Sequence, residues 1–247
     1  MRLTIVGCSG SYPGPDSPAS CYLVEHDGHR IVLDMGNGSF GALQRYADVY
    51  DIDAVVLSHL HADHCLDVTS YYVARRYHPA GPKPRMPILG PTGTADRMAR
   101  GYDMPTDPGM HAEFEFRDHL PVTEVGPFTI RTAPANHPVE AYGIRVEAGG
   151  RSLVFSGDTG ATDELVRLGR DADLALFEAS WLSRADNPPD LHMSAAEAAD
   201  HATRAGIGRL VLTHLVPWYD KDLSYAEADA VYDGELTLAA PGAVHEL

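Results

Sequence analysis

The chain has 247 residues, with 44% hydrophobic and 22% charged content and a mean hydropathy of −0.20. It is long enough to form one domain with a substantial core, expected over 1–247. The formal charge of 19 − 35 = −16 leaves no basic stripe for a duplex, and no apolar run approaches the ~20 residues that span a bilayer. Extended nucleic acid and membrane are therefore not expected as partners.

The N-terminal Met1-Arg2-Leu3-Thr4-Ile5-Val6-Gly7 reads as a strand that starts at once, without the apolar core and cleavage site of a signal peptide. A cytoplasmic location is expected. Further strands are predicted over 21–25, 30–34, 54–57, 86–89, 127–133, 142–147, 151–156, 173–178, 209–213 and 235–238. Helices are predicted over 39–49, 66–77, 92–101, 162–170, 194–205 and 224–232. Ser194 with Glu197 forms a capping box, and Gly206 suits a left-handed helix end. Short Pro/Gly-rich segments at 12–18, 79–84, 104–109 and 187–189 read as loops. Strands come in runs rather than in alternation with helices, which predicts an α/β protein with two mixed sheets packed together and helices outside. Three cysteines, Cys8, Cys21 and Cys65, make no C-x-x-C pair and no even disulfide framework. Cys65 reads as a small buried residue rather than a ligand.

Directly after the apolar run Ala54-Val55-Val56-Leu57 comes Ser58-His59-Leu60-His61-Ala62-Asp63-His64. Imidazole nitrogen and carboxylate oxygen are the donors that Zn²⁺ and similar ions take. If extended, residues 59, 61 and 63 share one face, and a turn is needed to bring His64 back. Four residues cannot hold two ions, but three more candidates follow strands: His137 after 127–133, Asp158 after 151–156 and His214 after 209–213. A lone polar residue at a strand end is usually just a terminus, but three behind H-x-H-x-D-H form a pattern. The remaining histidines, His26, His29, His78, His111, His119, His201 and His245, read as surface rather than site.

The set His59, His61, Asp63, His64, His137, Asp158 and His214 resembles the metallo-β-lactamase fold superfamily over nearly the whole chain. The resemblance implies an αββα sandwich with a binuclear site on one edge. By position, it assigns His59, His61 and His137 to one metal, Asp63, His64 and His214 to the other, and Asp158 to both. Two divalent ions are implied, zinc first, although manganese or iron suits the same donors.

True zinc β-lactamases commonly carry cysteine where this chain has Asp158. An all-oxygen bridge suits two close ions acting on phosphodiesters or some thioesters. Phe177-Glu178-Ala179-Ser180 and Leu191-His192-Met193-Ser194 resemble the H-E-A-T and H-S-T segments of ribonuclease Z. Glu178 would orient His192, which would contact the phosphate and protonate the leaving oxygen. The simpler reading is a buried structural acid and a helix-capping histidine. Asp63, Glu178 and His192 are the catalytic candidates.

Val139-Glu140-Ala141-Tyr142-Gly143-Ile144-Arg145-Val146 also resembles ribonuclease Z. Those enzymes insert a long tRNA-gripping arm after this strand, whereas here only Glu147-Ala148-Gly149-Gly150 precede the next one. The chain further resembles actinobacterial, atypical class II cyclic-nucleotide phosphodiesterases. Their segments match at Gly7-Cys8-Ser9-Gly10-Ser11, Arg75-Arg76-Tyr77-His78-Pro79, Pro188-Pro189-Asp190-Leu191-His192 and Pro217-Trp218. Ala62 departs from the leucine of the standard class II signature.

The expected activity is thus metal-dependent hydrolysis of a small anionic phosphodiester such as 3′,5′-cAMP. The alternatives are a ribonuclease Z-like RNA-processing nuclease without the arm and a non-catalytic metal- or ligand-sensing module. Ribonuclease Z-like proteins tend to dimerise, so a homodimer is compatible with the resemblance. Ser9, Ser11, Tyr12 and Ser20 are candidate substrate contacts, against the simpler reading of solvated loop groups.

Overall fold

The computed structural model describes residues 1–184 and 186–247. One seven-stranded sheet holds β1 (Arg2–Gly7), β2 (Cys21–His26), β3 (His29–Leu33), β4 (Ala54–Val56), β5 (Met86–Gly90) and β6 (Phe114–Asp118) in that order. The chain then enters a second seven-stranded sheet with β7 (Val122–Val125), β8 (Phe128–Pro134), β9 (Tyr142–Ala148), β10 (Arg151–Phe155), β11 (Leu174–Glu178), β12 (Arg209–Thr213) and β13 (Glu235–Leu238). The last strand, β14 (Val244–Glu246), returns to pair antiparallel with β1.

Period-2 alternation along the strands builds four layers. Ile31 and Leu33 of β3, Ala54 and Val56 of β4, Leu153 and Phe155 of β10, and Leu174 and Leu176 of β11 meet in one core between the sheets. Their neighbours Val32 and Val55 face the other way. There they meet α1 (Ser39–Leu43), α3 (Val68–Arg76) and α4 (Thr94–Gly101), with the one-turn α2 (Ala62–Cys65) between α1 and α3. Val154, Ala175, Phe177 and Leu212 likewise pack under α5 (Asp163–Gly169), α6 (Ala195–Ala205) and, through Ala228, α7 (Lys221–Asp229). The expected αββα sandwich of two mixed sheets is the observed architecture. Among the described residues no helix is long and apolar enough to cross a membrane.

Direction of the strands decides where the site can be. β3, β4 and β5 run parallel, as do β10, β11 and β12. β8 is antiparallel to β9, and β9 to β10, so β8 points the same way as β10. Every residue just past β3, β4, β8, β10, β11 and β12 therefore emerges at a carboxyl end, where open α/β sheets bind ligands.

Three strands escape the sequence reading: β6, whose Phe114-Glu115-Phe116-Arg117-Asp118 mixes charge with aromatics, and the short edge strands β7 and β14. The helix predicted over 39–49 shortens to Ser39–Leu43, followed by a 3₁₀ turn at Val49–Asp51. The helix predicted over 66–77 begins earlier and is broken into α2 and α3. α7 starts at Lys221, where the Asp220 side chain caps it, rather than at 224. His201 is a correction too: it is 2% exposed, bonded to Glu197 O (2.7 Å) and accepting from Thr162 N–H (3.0 Å).

Candidate metal centre

The loop after β4 carries Ser58 to His61 along the carboxyl edge, and His61 is the N-cap of α2. Helical turns in α2, not an extended segment, aim Asp63 and His64 inward. Gly36, after β3, passes so close to this turn that a Cβ there would lie 1.9 Å from Asp63 O. Only glycine admits that approach. His137 follows β8, Asp158 follows β10, and His214 follows β12 with a left-handed backbone (φ 52°) that returns its ring to the site.

All seven predicted residues converge as two groups that share Asp158. His59, His61, His137 and Asp158 form one, Asp63, His64, Asp158 and His214 the other, each with donor atoms within 4.8 Å of one another. Asp158 Oδ2 lies 3.7 Å from His59 Nε2. Its Oδ1 lies 3.1 Å from His64 Nε2 and 3.4 Å from His214 Nε2. The two oxygens thus face different groups.

Hydrogen bonds outside the cluster fix the tautomers. His64 Nδ1–H donates to Asp34 Oδ2 at 2.7 Å, and His137 Nδ1–H to Leu191 O at 2.9 Å. The Ser180 hydroxyl donates to Glu178 Oε2 (2.6 Å) and so accepts from His214 Nδ1–H at 2.7 Å. The Ser58 hydroxyl donates to Asp34 Oδ2 (2.8 Å) and accepts from His59 Nδ1–H at 3.1 Å. Each of these rings is left with an Nε2 lone pair facing the site. His59 Nε2 lies 3.0 Å from His61 Nδ1, His61 Nδ1 lies 3.2 Å from His137 Nε2, and His64 Nε2 lies 3.1 Å from His214 Nε2.

Converging lone pairs repel unless a cation lies among them. These separations match the ~3.3 Å edge of a tetrahedron with metal–nitrogen bonds of ~2.0–2.1 Å. Asp158 Oδ1, buried, has no hydrogen-bond partner among the described residues, which a metal ligand oxygen does not need. Burial pushes His59, His61 and His137 below the usual imidazole range, into the neutral form that coordinates. Burial acts the same way on His64, but Asp158, Asp34 and Asp63 outweigh it and hold that ring well above its ordinary value. The pocket favours positive charge. The His/Asp clusters suit a binuclear divalent metal site.

Glu178, fully buried at the end of β11, lies 3.0 Å from His192 Nδ1 through Oε2 and accepts Thr159 N–H through Oε1 at 2.6 Å. Burial opposes charge on His192, yet Glu178 prevails and lifts it to about 9. His192 Nε2 has no hydrogen-bond partner among the described residues, and the ring lines an open cavity of about 860 Å³. The His137 ring centroid lies 5.0 Å from that of His61 and 5.6 Å from that of His192.

Asp34 and Ser58 are contributors the sequence reading missed. Asp34 follows Ile31-Val32-Leu33, and the strand-end rule that located His137 would have found it too. The N-terminal loop is a partial correction. Ser9 and Ser20 are buried and bonded within the fold, whereas Ser11 N–H points at His214 Nε2 (3.4 Å) and Tyr12 packs on Trp218 at the rim. His119 is also more than a surface residue, bonded to Leu57 O at 2.8 Å behind β4.

The fold and paired clusters define a metallo-hydrolase of the metallo-β-lactamase fold. The chain belongs to that superfamily: the family model for the beta-lactamase superfamily domain matches residues 29–215. Within it, the chain falls in the ribonuclease Z-like branch. It is 43% identical over 242 residues to the uncharacterized protein Rv1339 of Mycobacterium tuberculosis (95% of this chain, 88% of that one). It is 33% identical to a ribonuclease Z of Mycobacterium bovis over 246 residues (88% and 86% of the chains). The crystal structure of the metallo-β-lactamase fold protein YhfI of Bacillus subtilis superposes with a TM-score of 0.88 at 29% identity, covering 99% of each chain.

Proposed function

We propose that this metallo-hydrolase is a binuclear phosphodiesterase acting on a small diester, a 3′,5′-cyclic nucleotide such as cAMP being the expected substrate. The observation that carries the reading is His192, held through Nδ1 by buried Glu178 beside Asp158, with no hydrogen-bond partner at Nε2 among the described residues. An ester whose leaving group is a poor alkoxide needs a proton donor beside its cations, and this pair supplies one.

His59, His61 and His137 would hold one cation, Asp63, His64 and His214 the other, and Asp158 both. When bound, zinc or another divalent pair neutralises the phosphoryl oxygens and lowers the pKa of water. Asp63 and Asp158 accept hydrogen bonds from the attacking water and keep it in line with phosphorus. Glu178 fixes the His192 ring through Nδ1. His192 Nε2–H donates to the departing ribose oxygen and transfers its proton as the P–O bond breaks.

A second reading, an RNA-processing nuclease, is favoured by the 33% identity to ribonuclease Z. Against it stand the charge of −16 and the turn between β9 and β10. Ala148 pairs with Arg151 there, leaving Gly149 (φ 58°) and Gly150 (φ 75°) as a two-residue hairpin loop. No arm fits in it. Side-by-side assays of cAMP, bis(p-nitrophenyl) phosphate and a tRNA precursor test the choice. Metal-dependent turnover of cAMP is expected; cleavage of the precursor alone would reverse the assignment.

A further inference from the structure

His192 lies between two unlike stretches of backbone. On its carboxyl side the chain is built into the fold. Trp181 N–H donates to Met193 O (3.2 Å), Ala195 N–H donates to Trp181 O (3.1 Å), and Ser194 caps α6. On its amino side the chain arrives through turns between 186 and 191, past Pro188 and Pro189 at the wall of the open cavity. The placement of the His192 ring therefore depends on what holds residues 190 and 191.

Three contacts hold them, all from the segments after β8 and β10. Asn136 Nδ2–H donates to Asp190 Oδ1 at 2.8 Å. His137 Nδ1–H donates to Leu191 O at 2.9 Å. The Asp190 backbone also rests on Gly160, where a Cβ would lie 2.9 Å from Asp190 Cα. Asp190 adopts a left-handed backbone here (φ 57°), which aspartate and asparagine tolerate better than other side chains do. The His137 bond is shared with a metal group, whereas the Asn136–Asp190 bond involves no donor atom of either group.

Asn136 is fixed in turn to the residues that fix Glu178. Its N–H donates to Thr159 Oγ1 (2.9 Å), and its carbonyl accepts Gly160 N–H (2.7 Å). Thr159 N–H donates to Glu178 Oε1 at 2.6 Å. Both sides of the Glu178–His192 contact thus take their position from the same pair of segments. Glu178 is buried and fixed through Thr159, and His192 is fixed through Asp190.

We propose that Asn136 and Asp190 form a positioning pair for His192, with Gly160 leaving room for the backbone that they hold. The inference rests on the reading of His192 as proton donor in the phosphodiesterase reaction. The pair touches neither substrate nor metal. It keeps the 190–192 turn seated, so that the His192 ring meets Glu178 through Nδ1 and presents Nε2 to the leaving oxygen. A single hydrogen bond this exposed adds little to stability, but a proton donor is sensitive to small displacements.

The test measures kcat and KM for cAMP and bis(p-nitrophenyl) phosphate, with saturating zinc and equal measured metal content. Asn136→Ala and Asp190→Ala remove the bond, and Gly160→Ala pushes the turn away without touching it. Gly160 is not left-handed, so alanine there tests the contact alone. Each of the three is expected to lower kcat for cAMP by about tenfold, less than the ~10²-fold of a 1 Å misplacement. The p-nitrophenyl ester, which needs little proton donation, should be largely spared. Asp190→Asn keeps the acceptor oxygen and tolerates the backbone, so it is expected to behave as wild type. Asp190→Ala made in a His192→Ala background should add no further loss on cAMP, because the two residues act as one unit. Equal losses on both substrates, no loss in any of the three variants, or an Asp190→Ala loss that persists without His192 overturns the pair and leaves the phosphodiesterase standing. A wild type that does not turn over cAMP overturns both.

Discussion

Asp34 Oδ2 and His64 Nδ1 meet at 2.7 Å in a fully buried contact just past the end of β3. Asp34 adopts a left-handed backbone (φ 56°) to make it, and its other oxygen accepts Ser58 N–H at 2.6 Å. One carboxylate therefore orients His64 directly and His59 through the Ser58 hydroxyl, one ring from each metal group. Asp34→Asn replaces an acceptor with a donor on one side of this junction. We expect metal affinity to fall by ~10–100-fold, the usual cost of losing such a support. Competition with a chelating dye measures it; an unchanged affinity would mean that the ring positions are set elsewhere.

The Glu178–His192 pair predicts a dependence on leaving group. His192→Ala removes the proton donor and is expected to lower kcat by ~10²–10⁴-fold for a cyclic nucleotide. A p-nitrophenyl ester, whose phenolate departs with little need of a proton, should lose far less. Glu178→Gln should follow the same pattern more weakly, since the ring keeps a hydrogen-bond acceptor at Nδ1. His192→Ala should retain its metal, because His192 belongs to neither metal group of the proposed site; Glu178→Gln should bind metal more weakly, because Glu178 also orients His214 through the Ser180 hydroxyl. Equal losses on both substrates would reduce His192 to a substrate-binding role.

Much of this was legible because sheet periodicity and strand-end chemistry are local signals. Ile31-Val32-Leu33 and Leu153-Val154-Phe155 read as buried strands, and the polar residue after each such run lands at one edge by topology alone. What stayed hidden depends on three-dimensional neighbours. Aspartate tolerates the left-handed backbone that Asp34 adopts, but its role as a support for His64 depends on where α2 places that ring, and Gly36 looks ordinary until Asp63 O is placed beside it. His201 reads as a surface residue because Thr162 N–H, at the N-cap of α5, meets it only in the folded chain; its other partner, Glu197 O, is one turn back on α6.

The three cysteines should be inert in the native chain. Cys8, Cys21 and Cys65 are all buried and unpaired. Burial pushes the Cys8 and Cys21 thiols above their ordinary value, away from the reactive thiolate. A thiol reagent at pH 8 is expected to label none of them in buffer and all three in denaturant. Labelling of the native protein at a rate independent of unfolding would show that these sites open locally.

The metal centre also bears on stability. Asp34, Asp63, Asp158 and Glu178 put four carboxylates among histidines at one edge of the sandwich. Three of them are almost wholly inaccessible to water. Cations that bind only the folded chain add stability by mass action, ~2.7 kcal/mol per site at a hundredfold excess over Kd. A chain of this size shifts by ~2–4 °C per kcal/mol. Chelation should therefore lower Tm by at least ~5 °C and abolish turnover, and restoring a divalent ion should recover both. Asp158→Ala removes the carboxylate facing both groups, so this variant should hold fewer than two ions and show a smaller chelation shift. A variant that retained two ions and full turnover would remove Asp158 from the shared position and end the binuclear account.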